Sequence, residues 1–171
     1  MTLSTSDLNP SPRLLLGPGP SAVHPRVLRA MSTPLIGYLD PEWLAMMDEE
    51  QALLRAVFLT DNVLTLPMSG TGSAGMGTAL CNFLEPGDRV VVGCNGYFSE
   101  RMCEMAARYG ATVTRMEKPW GEVFTPVEVR EAIRGQGYRL VALVHAETST
   151  GALQPHIADI AEIVHNRGAL L

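Results

Sequence analysis

VLTLPMSGTGSAGMG, residues 63–77, is the stretch whose reading decides the fold. Residues 63–67 form a short apolar run that predicts a strand. Residues 69–72 are small turn formers, and residues 73–84 predict a helix. A strand that turns through glycines into a helix places free helix-start N–H groups and the positive end of the helix dipole at one point. Glycines let a ligand approach the backbone, and Ser and Thr add hydroxyl donors. The loop Ser69-Gly70-Thr71-Gly72-Ser73 is therefore a candidate anion cradle at the carboxyl edge of a parallel sheet.

The pattern outward from this loop supports such a sheet. The turn Glu85-Pro86-Gly87-Asp88 leads to a predicted strand over 89–92 and a helix over 97–109 that Gly110 ends. A strand over 111–116 follows. Thr125 caps a helix over 126–134, residues 140–144 form an apolar strand, and a helix over 157–166 ends at Gly168. Residues 169–171 look like the start of another strand. Strand–helix alternation at this spacing implies right-handed crossovers and a mostly parallel sheet covered on both faces, a three-layer αβα arrangement. The unbroken apolar runs Val90-Val91-Val92 and 140–144 suit strands buried on both sides.

Before the loop, residues 1–24 read as an N-terminal arm and 25–171 as the first part of one large domain. Gly17-Pro18-Gly19-Pro20 interrupts regular structure. Residues 25–31 predict a short helix. Asp40 and Pro41 suit the cap and first position of a longer one. On that helix Trp43, Met46, Met47, Leu53, Leu54, Val57 and Phe58 recur at helical spacing and are expected to pack in the core.

Bulk properties narrow the function. The chain has 171 residues, 46% hydrophobic and 18% charged, which fits a soluble globular protein. A net charge of −5 argues against a nucleic-acid face. No apolar run reaches membrane-span length. The polar start does not read as a signal peptide, so a cytoplasmic location is expected. Cys81, Cys94 and Cys103 match no zinc spacing and read as reduced thiols. His145 and Glu147 could share a strand face, but nothing in the sequence completes a metal set.

The glycines allow two cofactor readings. Residues 70–75 match G-x-G-x-x-G, the spacing of an NAD-linked dehydrogenase. The acidic ribose ligand due about 20 residues on is missing; Gly93-Cys94-Asn95 stands there. No Lys follows the glycines, which excludes a nucleotide-triphosphate loop. The other reading is a flat phosphorylated cofactor, with Tyr97 or Phe98 at the next strand end lying against its ring. Both aromatics could instead be core. The polar run His145-Ala146-Glu147-Thr148-Ser149-Thr150-Gly151 at another strand end could cap a helix or serve the site.

Taken together, LLLGPGPS (14–21), SGTGS (69–73), LEPGD (84–88), VGCNGYF (92–98) and HAETSTGALQP (145–155) resemble the class V aminotransferases, pyridoxal-phosphate enzymes of fold type I. Within them the closest likeness is to the alanine–glyoxylate and serine–glyoxylate group. The motifs keep the family's order and spacing from Leu14 onward. The resemblance implies that Thr71, Gly72 and Ser73 bind the cofactor phosphate and that Phe98, where the family often has Trp, stacks on the ring. It puts Thr148 near the phenolic oxygen, Gly19 near the substrate carboxylate and Tyr38 at the start of the substrate pocket. It implies amino transfer from alanine or serine to glyoxylate or pyruvate, and a homodimer with the arm at its interface.

In the family an Asp for the ring nitrogen and a Schiff-base Lys follow the strand that begins here at Ala169. The one lysine of this chain, Lys118, is out of that register and reads as a surface residue. The sequence is accordingly expected to be the front part of a longer enzyme. Alone it is expected to expose sheet edge and interface and to be unable to transaminate. A truncated, non-catalytic domain is the remaining alternative.

Overall fold

A computed structural model describes residues 8–135 and 137–171. The first seven residues of the expected arm lie outside these. The chain divides into two compact units, 1–66 and 67–171.

The first unit holds helix α1, Pro25–Met31, and helix α2, Pro41–Phe58. Their starts follow local chemistry. His24 Nδ1 accepts from Arg26 N at 3.2 Å, and Asp40 Oδ1 accepts from Glu42 N at 2.8 Å. Pro occupies the first position of each helix. Neither helix buries any residue, which corrects the expectation that the α2 stripe is core. Leu53 is 60% exposed, Val57 76% and Phe58 71%. A helical stripe needs a second apolar surface, and residues 8–66 supply none that covers it.

Residues 63–67 form no strand, a second correction. A strand exists only through its ladder, and among the described residues this segment has no ladder partner. Val63 and Leu64 stay exposed, and Pro67 has no N–H to donate.

The second unit runs α3 (Gly72–Phe83), β1 (Arg89–Cys94), α4 (Tyr97–Arg108), β2 (Thr112–Glu117), α5 (Pro126–Ala132), β3 (Tyr138–Ala142), β4 (Ala146–Glu147), β5 (Ala152–Leu153) and α6 (Ile157–His165). The main sheet is parallel in the order β2-β1-β3. Leu170 adds a parallel bridge to Leu140 on the outer side of β3, with Val141 N donating to Leu170 O at 2.8 Å. The strand start expected at 169–171 is thus engaged. The two-residue strands β4 and β5 pair antiparallel, a small hairpin that the sequence pattern did not suggest.

Strand β1 is central and buried on both faces. Val90, Val92 and Cys94 pack with Leu80, Leu84, Met102, Cys103 and Ala106 from α3 and α4. Val91 points the other way, to a cluster with Val129, Ile133, Ile160 and Val164 from α5 and α6. Alternating side chains of one strand thus feed two helical layers, and the three-layer αβα expectation holds. Thr125 and Glu128 form the capping box that starts α5. Among the described residues no helix is long and apolar enough to cross a membrane.

Candidate active site

Because β2 and β3 flank β1 on opposite sides, chain segments leaving β1 and β3 diverge at their carboxyl ends. A crevice at such a switch point is where open α/β sheets bind ligands. Three segments meet there: the start of α4, the hairpin after β3, and the start of α3.

Glu147 joins the first two. It is fully buried, yet its carboxylate has partners on every side. Oε2 accepts from Phe98 N at 3.1 Å and Ser99 N at 3.2 Å, and Oε1 accepts from Ser149 Oγ at 2.6 Å. Ser149 Oγ in turn accepts from Tyr97 N at 2.9 Å. The first amides of α4, orphaned by helix geometry, are thus capped from 49 residues away, and the helix dipole favours the negative charge there. The approach is close enough that a Cβ on Gly96 would fall 2.3 Å from Glu147 Cγ, so only glycine fits. Ser99 Oγ completes the turn by accepting from Asn95 N and Gly96 N, each at 3.0 Å. The polar run 145–151 therefore serves the helix cap, and through it fixes where Phe98 and Thr148 stand.

Arg101 joins α4 to α3. Its Nη1 donates to Ser73 Oγ at 2.6 Å and its Nη2 to Tyr97 Oη at 2.8 Å. The guanidinium lies 5.0 Å from the Tyr97 ring centroid and 5.8 Å from that of Phe98. Tyr97 and Phe98 meet edge to face with centroids 5.6 Å apart. One cation thus spans the glycine loop and the aromatic pair.

The start of α3 is left available. Thr71 is its cap residue but makes no side-chain cap bond, and Thr71 and Gly72 are exposed. A Cβ at Gly72 would meet nothing within 4 Å, so the space in front of the loop is open. Gly70 differs. Its φ of +153° and a Cβ position 2.7 Å from Ala74 Cβ require glycine. Uncapped amides, two hydroxyls and a nearby guanidinium suit an anion carrying several oxygens. Phe98, half-buried beside them, offers an aromatic surface, and Thr148 is exposed next to Glu147.

Thr71, Gly72, Ser73, Phe98 and Thr148 all belong to this unit, with Arg101 and Glu147 linking Ser73, Phe98 and Thr148. Gly19 and Tyr38 belong to the other unit, Gly19 in the bend after Leu16 and Tyr38 in the turn before α2, both exposed. Neither Arg101 nor the role of Glu147 was recognised from sequence. Arg101 lies four residues after Tyr97 on one helix, a spacing that brings side chains together. Glu147 could have been suspected as an acid in an otherwise small polar run.

Lys118 needs correction as a surface residue. Its side chain is 18% exposed, and Nζ pairs with Glu128 Oε1 at 2.8 Å and sits 5.8 Å from the Phe124 ring centroid. That partner, with the Thr125 hydrogen bonds, holds the Glu128 carboxyl down at about 2.

The class-V aminotransferase family model matches residues 15–171, nearly the whole chain. The chain belongs to the class-V aminotransferase family. It is 46% identical over 159 residues to an alanine–glyoxylate aminotransferase of Rattus norvegicus, covering 93% of this chain and 38% of that protein. A (S)-ureidoglycine–glyoxylate transaminase of Bacillus subtilis is 40% identical, with 92% and 38% covered. The crystal structure of an alanine–glyoxylate aminotransferase from Nostoc superposes with a TM-score of 0.93 at 51% identity, covering 99% of this chain and 45% of that one. This class-V chain therefore spans less than half the length of these relatives.

Proposed function

We propose that residues 67–171 form the phosphate- and ring-binding part of a pyridoxal-phosphate aminotransferase that moves an amino group from alanine or serine to glyoxylate or pyruvate. The observation that carries the reading is the Arg101 bridge from Ser73 to the Tyr97–Phe98 pair, which sets a cationic, hydroxyl-rich helix start beside an aromatic face. The names of the relatives support the glyoxylate chemistry. When bound, the cofactor supplies an electron sink for deprotonation of the amino acid.

The residues of this chain have binding and orienting roles. Thr71, Gly72 and Ser73 hold the phosphate, and Arg101 orients Ser73 and balances the charge. Phe98 lies against the ring, with Glu147 fixing the helix turn that presents it. Thr148 faces the phenolic oxygen. Gly19 and Tyr38 serve the substrate side. The working protein is a cytoplasmic homodimer, a reading that the uncovered apolar stripe of α2 supports. The 171 residues alone do not transaminate, because their one lysine, Lys118, is engaged by Glu128.

Calorimetric titration with pyridoxal phosphate and with pyridoxal separates the phosphate and ring contributions. The phosphorylated form binds at one site, and Thr71→Val with Ser73→Ala weakens it about tenfold while leaving pyridoxal unchanged. Equal affinity for the two ligands would overturn the phosphate assignment. Turnover of alanine and glyoxylate by the untreated chain, abolished by borohydride that leaves the cofactor reduced onto Lys118, would overturn the assignment of Lys118.

A further inference from the structure

Cys94 and Cys103 lie nine residues apart on successive elements, and their sulfurs lie 3.2 Å apart. Cys94 ends the central strand β1, and Cys103 sits in the second turn of α4. Both are buried, at 3% and 6% exposure, in the cluster where α4 packs on the sheet. Cys81 is exposed on α3, with its sulfur toward Thr78 O at 3.3 Å. Its neighbours are different, and it provides an internal control.

We propose that Cys94 and Cys103 are a redox-active dithiol that a hydroperoxide converts to an intramolecular disulfide. A disulfide needs sulfurs about 2.05 Å apart. The sulfurs start 3.2 Å apart, so about 1 Å of approach closes the gap. The environment also assigns the two roles. The hydrogen bond from Cys94 pushes the Cys103 thiol down against the opposing effect of burial, with help from the Arg115 guanidinium against Glu100 and Glu117. The same bond, then burial, pushes Cys94 up. Cys103 is therefore the attacking thiolate and Cys94 the resolving thiol.

The Cys103 thiolate attacks one oxygen of hydrogen peroxide. The O–O bond breaks, hydroxide leaves, and Cys103 becomes a sulfenic acid. The Cys94 sulfur then attacks the sulfenic sulfur. The S–S bond forms and the S–OH bond breaks. Hydroxyl leaves as water with the proton of Cys94, and the earlier hydroxide takes up the proton that Cys103 had released. In sum, two thiols and one peroxide give one disulfide and two waters. A small neutral oxidant reaches the pair through local opening of α4.

The new bond would enclose the segment that holds Gly96, Phe98 and Arg101. Any effect on the cofactor rests on the functional reading above, but the bond itself does not, and it is measured without cofactor. The full chain is treated in its native state with hydrogen peroxide, then unfolded in iodoacetamide, digested with trypsin and weighed. The expected product is the peptide of residues 90–101 linked to that of 102–108, lighter than the two thiol peptides by two hydrogens and separated again by dithiothreitol. Cys81→Ser keeps the link, and Cys103→Ser abolishes it. Both peptides carrying alkylated cysteine after peroxide would overturn the proposal and leave only a thiol–thiol hydrogen bond. Links to Cys81, or a link that forms only in denaturant, would overturn it equally.

Discussion

Helices α2 and α6 are both amphipathic, and both show an apolar stripe in sequence. In α6, Ile160 and Val164 are completely buried against α5 and the sheet. In α2, eighteen residues long, nothing is buried. The difference lies in the company each helix keeps. Helix α6 folds onto a sheet whose central strand feeds side chains to both faces. Helix α2 shares its unit only with α1 and extended chain, and α1 buries nothing either. A stripe states that a face must be covered; it does not state by what. In α2 the answer proposed above is a second chain.

The largest expected effect tests this contrast directly. Ile160→Ala should cost about 2–5 kcal/mol in urea unfolding of the full chain, as for a large residue removed from a core. Leu53→Ala should stay within about 0.5 kcal/mol. A comparable cost at Leu53 would break the comparison and mean that α2 is covered in the chain on its own.

The next effect extends the contrast to polar groups. Glu147→Ala leaves buried amides of Phe98 and Ser99 without an acceptor and should cost about 1–3 kcal/mol. Glu147→Gln keeps an acceptor but loses the charge, so it should cost less. If Glu147→Gln unfolds at the same urea concentration as the unsubstituted chain, the charge at the start of α4 contributes nothing.

A smaller change is expected at Arg101, which sharpens the view that the site sits on the well-packed unit. Arg101→Gln should weaken pyridoxal phosphate about tenfold, and Arg101→Lys by less, because lysine keeps the charge but not the two-pronged donor geometry. Binding that stays unchanged in Arg101→Gln would remove the cation from the site.

The smallest effect concerns the partly buried Lys118–Glu128 ion pair. Glu128 has a folded value near 2 against an ordinary 4.5, with Lys118 the first cause. A depressed carboxyl contributes stability that is present above 4.5 and lost as pH falls toward 2. Glu128 is 43% exposed, so solvent screening keeps this below about 1 kcal/mol. Glu128→Gln should flatten that part of the stability–pH curve. An unaltered slope between pH 4.5 and 2 would show that the pair is not formed in solution.

Some of this was legible in the residues. Asp40 before Pro41 and Thr125 before Glu128 announce helix starts because a cap acts over three residues. The run Val90-Val91-Val92 announces a strand covered twice. The order of the motifs carried the family, and the small residues of 69–73 marked a candidate anion cradle. Where the sequence misled, the missing quantity was a partner. Residues 63–67 are β-prone but unladdered, the α2 stripe is apolar but uncovered, and Lys118 is charged but paired.

The sequence by itself determined what depends on near neighbours along the chain: caps, turns and the alternation of strands and helices. Only the tertiary structure decided that Glu147 caps a helix 49 residues away, that Arg101 reaches Ser73, and that Cys94 meets Cys103. The Glu147 contact depends on the parallel order β2-β1-β3, which brings strand ends to one edge whatever their separation in sequence, and the cysteine contact on how α4 packs back on β1. A side chain's type states what partner it needs, and the fold sets which partner is within reach.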